Sequence, residues 1–208
     1  MCIRDSVITD KDDSITVLET YVAPHLKPGD SIVISEKVIA IMQGRAFPIE
    51  TIKPSWLAKK LSQQVYKSPY GIGLGSPWTM ELAIREVGMI RIIAAAVAAA
   101  ITKPFGVKGV FYTIAGKSIN AIDGPCDYTL PPYNKYAKLA PANPNGVART
   151  IAEKYNCPTV IIDANDLGVS ILGVSSKDLN TQLYQKAFQD NPLGQSSEQT
   201  PIAILRKE

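Results

Sequence analysis

Apolar positions along the chain fall into two rhythms. Short unbroken runs at Ile32–Ile34, Val160–Ile162 and Val169–Val174 predict buried strands. A Pro28-Gly29-Asp30 turn opens the first of them. Beyond Glu36-Lys37 the chain stays apolar over Val38–Met42 and closes at Gly44-Arg45, which reads as a hairpin-like segment. Val110–Ile114 predicts another strand and "TPIAILRK" a final one. The second rhythm is helical. Trp56, Leu57, Leu61 and Val65 share one helix face, and Trp78 to Ile101 reads as the longest helix. Ser76 and Pro77 fit its N-cap and first position. Further helices are expected over Val147–Tyr155 and Leu179–Gln189, the latter behind a Ser175-x-x-Asp178 capping box. "SITVLETYVAPHL" begins with a short strand or helix. Strands and helices mix without strict βαβ alternation, so the expected class is α+β, an irregular mixed α/β arrangement.

Composition narrows the chemistry. The 208 residues fit one domain or two small lobes, and 46% apolar against 20% charged is an ordinary globular balance. The net charge of +3 comes from scattered Lys and Arg, so no nucleic-acid surface is expected. Three cysteines without a CxxC pair suggest neither a disulfide framework nor a zinc site, and a cytoplasmic protein is expected. His25 is the only histidine, so a Ser-His-Asp triad or multi-His metal site is nearly excluded, and any metal needs oxygen ligands: Mg²⁺ or Mn²⁺. "MCIRDS" lacks an apolar core for a signal peptide and reads unlike the remainder, so residues 1–13 are expected to be an extraneous or truncated N-terminus ahead of a single domain spanning 14–208. "MIRIIAAAVAAAI" is too short for a membrane span, and its alanines predict a tightly packed central helix.

The candidate chemistry sits in loops and at strand ends. Asp163 lies where a buried strand would surface, with Asn165 and Asp166 close behind. Adjacent carboxylates repel unless a cation or donors share them, and Mg²⁺ on nucleotide phosphates would do so. The same "DANDLG" also reads as a solvated Asx-rich turn. Asp123 and Asp127 form a second acidic loop, which could meet the first at one ion or be an ordinary Asp-Gly turn. Lys37 and Arg45, beside Glu36 and Gly44, offer a point charge and a fork to phosphate, or are plain surface cations. The glycine loop "GIGLGSP", with Gly73 and Gly75 ahead of a helix, is no Walker motif but could bind an anion; otherwise it is a connector. Glu198 could complete a metal site or be solvated. Tyr128, Tyr133 and Tyr136 could line a pocket or a dimer contact, and Cys126 and Cys157 read as small buried fillers.

Taken together, "KPGDSIVISEKVIAIMQGR", the "NAIDG" loop and "VIIDANDLG" resemble the coenzyme F-420 gamma-glutamyl ligases over about residues 27–174. The resemblance implies an intertwined homodimer that binds GTP, or ATP, with a divalent metal. It implies activation of a carboxylate as an acyl phosphate and attack by the amine of L-glutamate or another amino acid. It places the metal on Asp123 and Asp163, with Asp163 and Asp166 at the chemistry. It puts Lys37 and Arg45 on the phosphate side; with the readings above, Lys37, Gly44, Arg45, Gly73 and Gly75 are the expected nucleotide contacts, and Glu36, Asn120, Asn165 and Glu198 the expected support. Ala164 stands where the family carries a hydroxyl residue, and "NDLG" where it carries an FGRP-like run. A non-catalytic nucleotide- or metabolite-binding protein of the same fold, and a structural module with turn acids, are the alternatives.

Overall fold

The computed structural model describes residues 7–65, 73–107, 109–127, 129–165, 168–194 and 200–206. The chain gathers into two compact units: residues up to Gly44 together with those from Pro141 onward, and Arg45–Ala140.

The first unit holds α1 (Ser14–Tyr21), β1 (Ser31–Ser35) and α2 (Glu36–Met42) before the chain leaves it. After the chain returns come α7 (Pro144–Tyr155), β4 (Thr159–Asn165), β5 (Gly168–Val174), α8 (Thr181–Ala187) and β6 (Ile202–Leu205). Its sheet has the order β5-β4-β1-β6. β1 and β4 run parallel, and β6 and β5 flank them antiparallel. Side-chain alternation divides the core between two faces. Ile32, Ile34 and Ile161 face Leu18 of α1, Ile39 of α2 and Ile151 of α7. Val33, Val160 and Ile162 face Tyr184 and Phe188 at α8. A register shift opposite Ile161 and Ile162 leaves Leu172 as the extra residue of β5, so that Leu172 joins the first face while Ile171 and Val174 keep the second. Gly173 is required where β5 passes α7, because a Cβ there would lie 2.6 Å from the Pro144 backbone.

The second unit holds β2 (Ala46–Pro48), α3 (Trp56–Ser62), α4 (Pro77–Val87), α5 (Met89–Thr102), α6 (Val110–Ala115) and β3 (Tyr136–Lys138). β2 and β3 pair antiparallel, and Leu74, Met80, Leu82, Ile92, Ala115 and Ile119 are central to its core.

Much of the expected pattern is present. β1, β4, β5, β6, α3 and α7 occupy the anticipated segments, and Ser76 caps α4, its hydroxyl accepting from the Thr79 N–H at 3.2 Å. The mixture of helices with a mixed sheet is the expected α+β class. Several assignments are corrected. Val38–Met42 belongs to α2, not to a hairpin: β4 and β6 occupy both sides of β1 and leave no place for a returning strand. Val110–Ile114 is helical. Gly109 and Gly116 bracket it at φ +80° and +110°, and Ala115 is buried in the second core. The Trp78–Ile101 helix is divided at Gly88, whose φ of +86° ends α4 before α5 starts. α5 is not packed all round: Ile92 and Ala95 are buried, while Ile90, Ile93, Val97 and Ile101 are exposed. Asn180, not Ser175, caps α8. Cys157 is buried as expected, whereas Cys126 is half-buried.

Candidate functional site

In the first unit, the C-terminal ends of the two parallel strands bring several polar residues to one edge. Ser35 is the register partner of Ile162, so Glu36 and Asp163 continue from neighbouring strand ends. Alternation puts Asp163 on the face of Ile161, the face that Ile39 of α2 also covers. Asp163 is half-buried, and the Asn165 side-chain amide donates to its Oδ1 at 3.4 Å. Glu36 is buried in the first turn of α2, where a carboxylate complements the positive helix end, and Lys37 follows it half-buried. Crevices at the carboxyl ends of parallel strands are where α/β sheets place ligands.

The acid run of "DANDLG" also belongs to an antiparallel strand pair. Asp163 pairs with Ser170, Ala164 with Val169 and Asn165 with Gly168. The first three residues of "DANDLG" thus belong to β4, and its Gly168 starts β5. Asp166, Glu198 and Tyr128 lie outside the described residues. Ala164 points to the opposite face from Asp163 and packs against the Tyr184 and Phe188 cluster.

The second unit contains the other candidates. Asp123 pairs with Lys138 through two backbone hydrogen bonds of 3.1 and 2.9 Å, and its Oδ1 accepts from the Gly124 N–H at 3.0 Å. Lys138 is a residue the sequence reading missed: it is 6% exposed and its Nζ donates to the Ala121 carbonyl at 3.0 Å. The available signal was a lysine inside the apolar alternation "YAKLA". Arg45 is engaged locally, with Nε donating to the Ala140 carbonyl at 2.6 Å and a terminal nitrogen 2.7 Å from Glu86. Gly44, at φ +66°, closes α2 in the first unit. Gly73 and Gly75 form a 3₁₀ turn ahead of α4. Ser76 caps that helix through the Thr79 N–H, and Pro77 at its first position has no N–H to offer. Asn120 is exposed, and Tyr133 and Tyr136 stack edge to face at 5.0 Å.

Asp163 and Asp123 thus lie in different units. Among the described residues, no group of three or more His, Cys, Asp or Glu gathers as a ready metal cluster. Mg²⁺ and Mn²⁺ often take only one or two carboxylates and complete their shell with water and phosphate, a habit that a lone strand-end carboxylate such as Asp163 suits. No helix among the described residues is long and apolar enough to cross a membrane.

No curated protein matches the chain. The family model described as F420-0:Gamma-glutamyl ligase matches residues 3–207, essentially the full length. With that match laid over the strand-end acids, the chain belongs to the F420-0:gamma-glutamyl ligase family.

Proposed function

We propose that the chain is a nucleotide- and metal-dependent amide ligase joining L-glutamate, or another amino acid, to a carboxylic acid through an acyl phosphate. The observation that carries this reading is the convergence of Glu36, Lys37, Asp163 and Asn165 on the carboxyl ends of β1 and β4. Asp163 and Glu36 would hold Mg²⁺ or Mn²⁺, which neutralises phosphate charge during transfer. Asn165 orients the Asp163 carboxylate through its amide. Lys37 supplies a compact cation for phosphate oxygens. In the reaction, a substrate carboxylate oxygen attacks the γ-phosphorus of GTP or ATP and the nucleoside diphosphate leaves. The amine nitrogen then attacks the acyl carbon, loses its proton and displaces phosphate. Neither step needs histidine or cysteine; alignment and charge stabilisation supply the acceleration.

Calorimetric titration of GTP, then ATP, with Mg²⁺ or Mn²⁺ tests the reading. Wild type is expected to bind one nucleotide only with metal present, and Asp163→Ala to weaken that binding about tenfold or more. A well-folded wild type that binds neither nucleotide overturns it. A binding protein without turnover is the second reading, favoured by the apolar Ala164 next to Asp163. It predicts the same titration but no phosphate release in the presence of amino acid and carboxylic acid.

A further inference from the structure

Lys138 lies inside the second unit with 6% of its surface exposed, and the chemistry proposed above does not use it. A buried ammonium is stable only where negative charge compensates it. Its Nζ donates to the Ala121 carbonyl at 3.0 Å, a neutral acceptor. The acids of the unit are Glu50, Glu81, Glu86, Asp123 and Asp127. Glu50 and Asp127 are exposed. Glu81 accepts from the Ser55 N–H at 2.9 Å and from Arg85 at 3.1 Å. Glu86 accepts from Arg45 at 2.7 Å. Asp123 is half-buried and stands directly opposite Lys138 in an antiparallel bridge. The two residues exchange both backbone hydrogen bonds, at 3.1 and 2.9 Å. Partners of that kind carry their side chains on one face, with Cβ atoms about 5 Å apart. Ala121, which receives the amine, is two positions before Asp123, so the amine lies against the segment that carries the carboxylate.

We propose that Lys138 is the built-in counter-cation of Asp123, and that Asp123 is therefore not a metal ligand in this chain. The resemblance implies a metal on both Asp123 and Asp163, and the surroundings of Asp123 do not suit one. A divalent ion there would add two positive charges beside a buried ammonium, where salt and water screen the repulsion poorly. Lysine can neutralise a carboxylate but offers a cation no ligand, since its ammonium only donates. The metal then falls to Asp163 and Glu36 in the first unit. That last step rests on the ligase reading; the pairing of Asp123 with Lys138 does not.

The pairing is tested on the full chain by urea unfolding in the presence of a chelator, with neither metal nor nucleotide. Lys138→Met leaves the carboxylate uncompensated and is expected to lower the midpoint. Asp123→Asn in the wild-type background strands the ammonium and is expected to lower it too. Added to Lys138→Met, Asp123→Asn is expected to raise the midpoint, because the double variant removes both charges and keeps the shape of both side chains. Where Lys138→Met does not fold, recovery of folded protein in the double variant is the same result. A lowering by Asp123→Asn in both backgrounds overturns the proposal. A second measurement follows Mn²⁺ binding by electron paramagnetic resonance with GTP present, in wild type and Asp123→Asn. The affinity and the number of bound ions are expected to agree within about twofold, and a loss of about tenfold or more in Asp123→Asn overturns the proposal. A wild type that binds no Mn²⁺ with either GTP or ATP sinks the ligase reading instead, and the unfolding cycle still decides the charge pair.

Discussion

Asp30 shows how one side chain can tie together distant parts of the chain. It ends the turn before β1, and both its oxygens accept from Arg206, at 2.8 and 2.7 Å, in a bidentate pair just past β6. The Lys27 N–H adds a third donor at 2.7 Å. The carboxylate side chain is 1% exposed. The Arg206 hydrogen bonds, which outweigh burial, lower its pKa from 3.8 to about 2. A depressed folded-state pKa stabilises the protein above the unfolded value, and that contribution is lost as pH falls through the folded one. Wild-type stability is therefore expected to fall between about pH 4 and pH 2, and this part of the fall to be missing in Asp30→Asn when both are followed by urea unfolding across that range. Asp30 was legible in the sequence as a turn residue. Its partner was not, since nothing local links position 30 to position 206. Lys138 is the same lesson in the second unit: its burial depends on the Ala121 carbonyl, which reaches it through the fold and not through neighbouring residues.

Elements show a similar division. The cap of α4 and the turn before β1 were legible because the groups that make them lie within one turn: Ser76 reaches Thr79, and Gly29 turns the chain at φ +88°. The helices α2 and α6 were not legible, because short runs of Val, Ile, Phe and Tyr suit a strand and a buried helix equally. Their state was decided by whether a strand partner existed and whether glycines bracketed the run. Gly88 makes this quantitative. Its φ of +86° and ψ of 148° lie in a region that only glycine occupies readily, and a Cβ there would meet nothing within 4 Å. Gly88→Ala therefore adds backbone strain and no clash, and is expected to lower stability by about 1–3 kcal/mol in chemical denaturation. An unchanged midpoint would show that α4 and α5 tolerate a different break.

At the scale of the whole molecule, the chain has separate cores. Ile34 sits at 1% exposure in the first unit, and Leu74 at 1% in the second. Ile34→Ala is expected to cost about 2–5 kcal/mol by leaving a cavity. Native-state hydrogen exchange should locate that loss in β1 and β4, with the amides of α4 and α5 changed far less; equal loss in both would mean that the units open as one. Local chemistry set the strands of the first sheet, the turn before β1, the cap of α4 and the placement of Asp163 at a strand end. Each rests on residues a few positions apart, whose chemistry acts before any distant contact forms. Tertiary structure alone decided the helical state of α2 and α6, the division at Gly88, the Arg206 clasp on Asp30 and the two faces of α5. Each depends on what the rest of the chain leaves available at that place, and no local pattern carries that information.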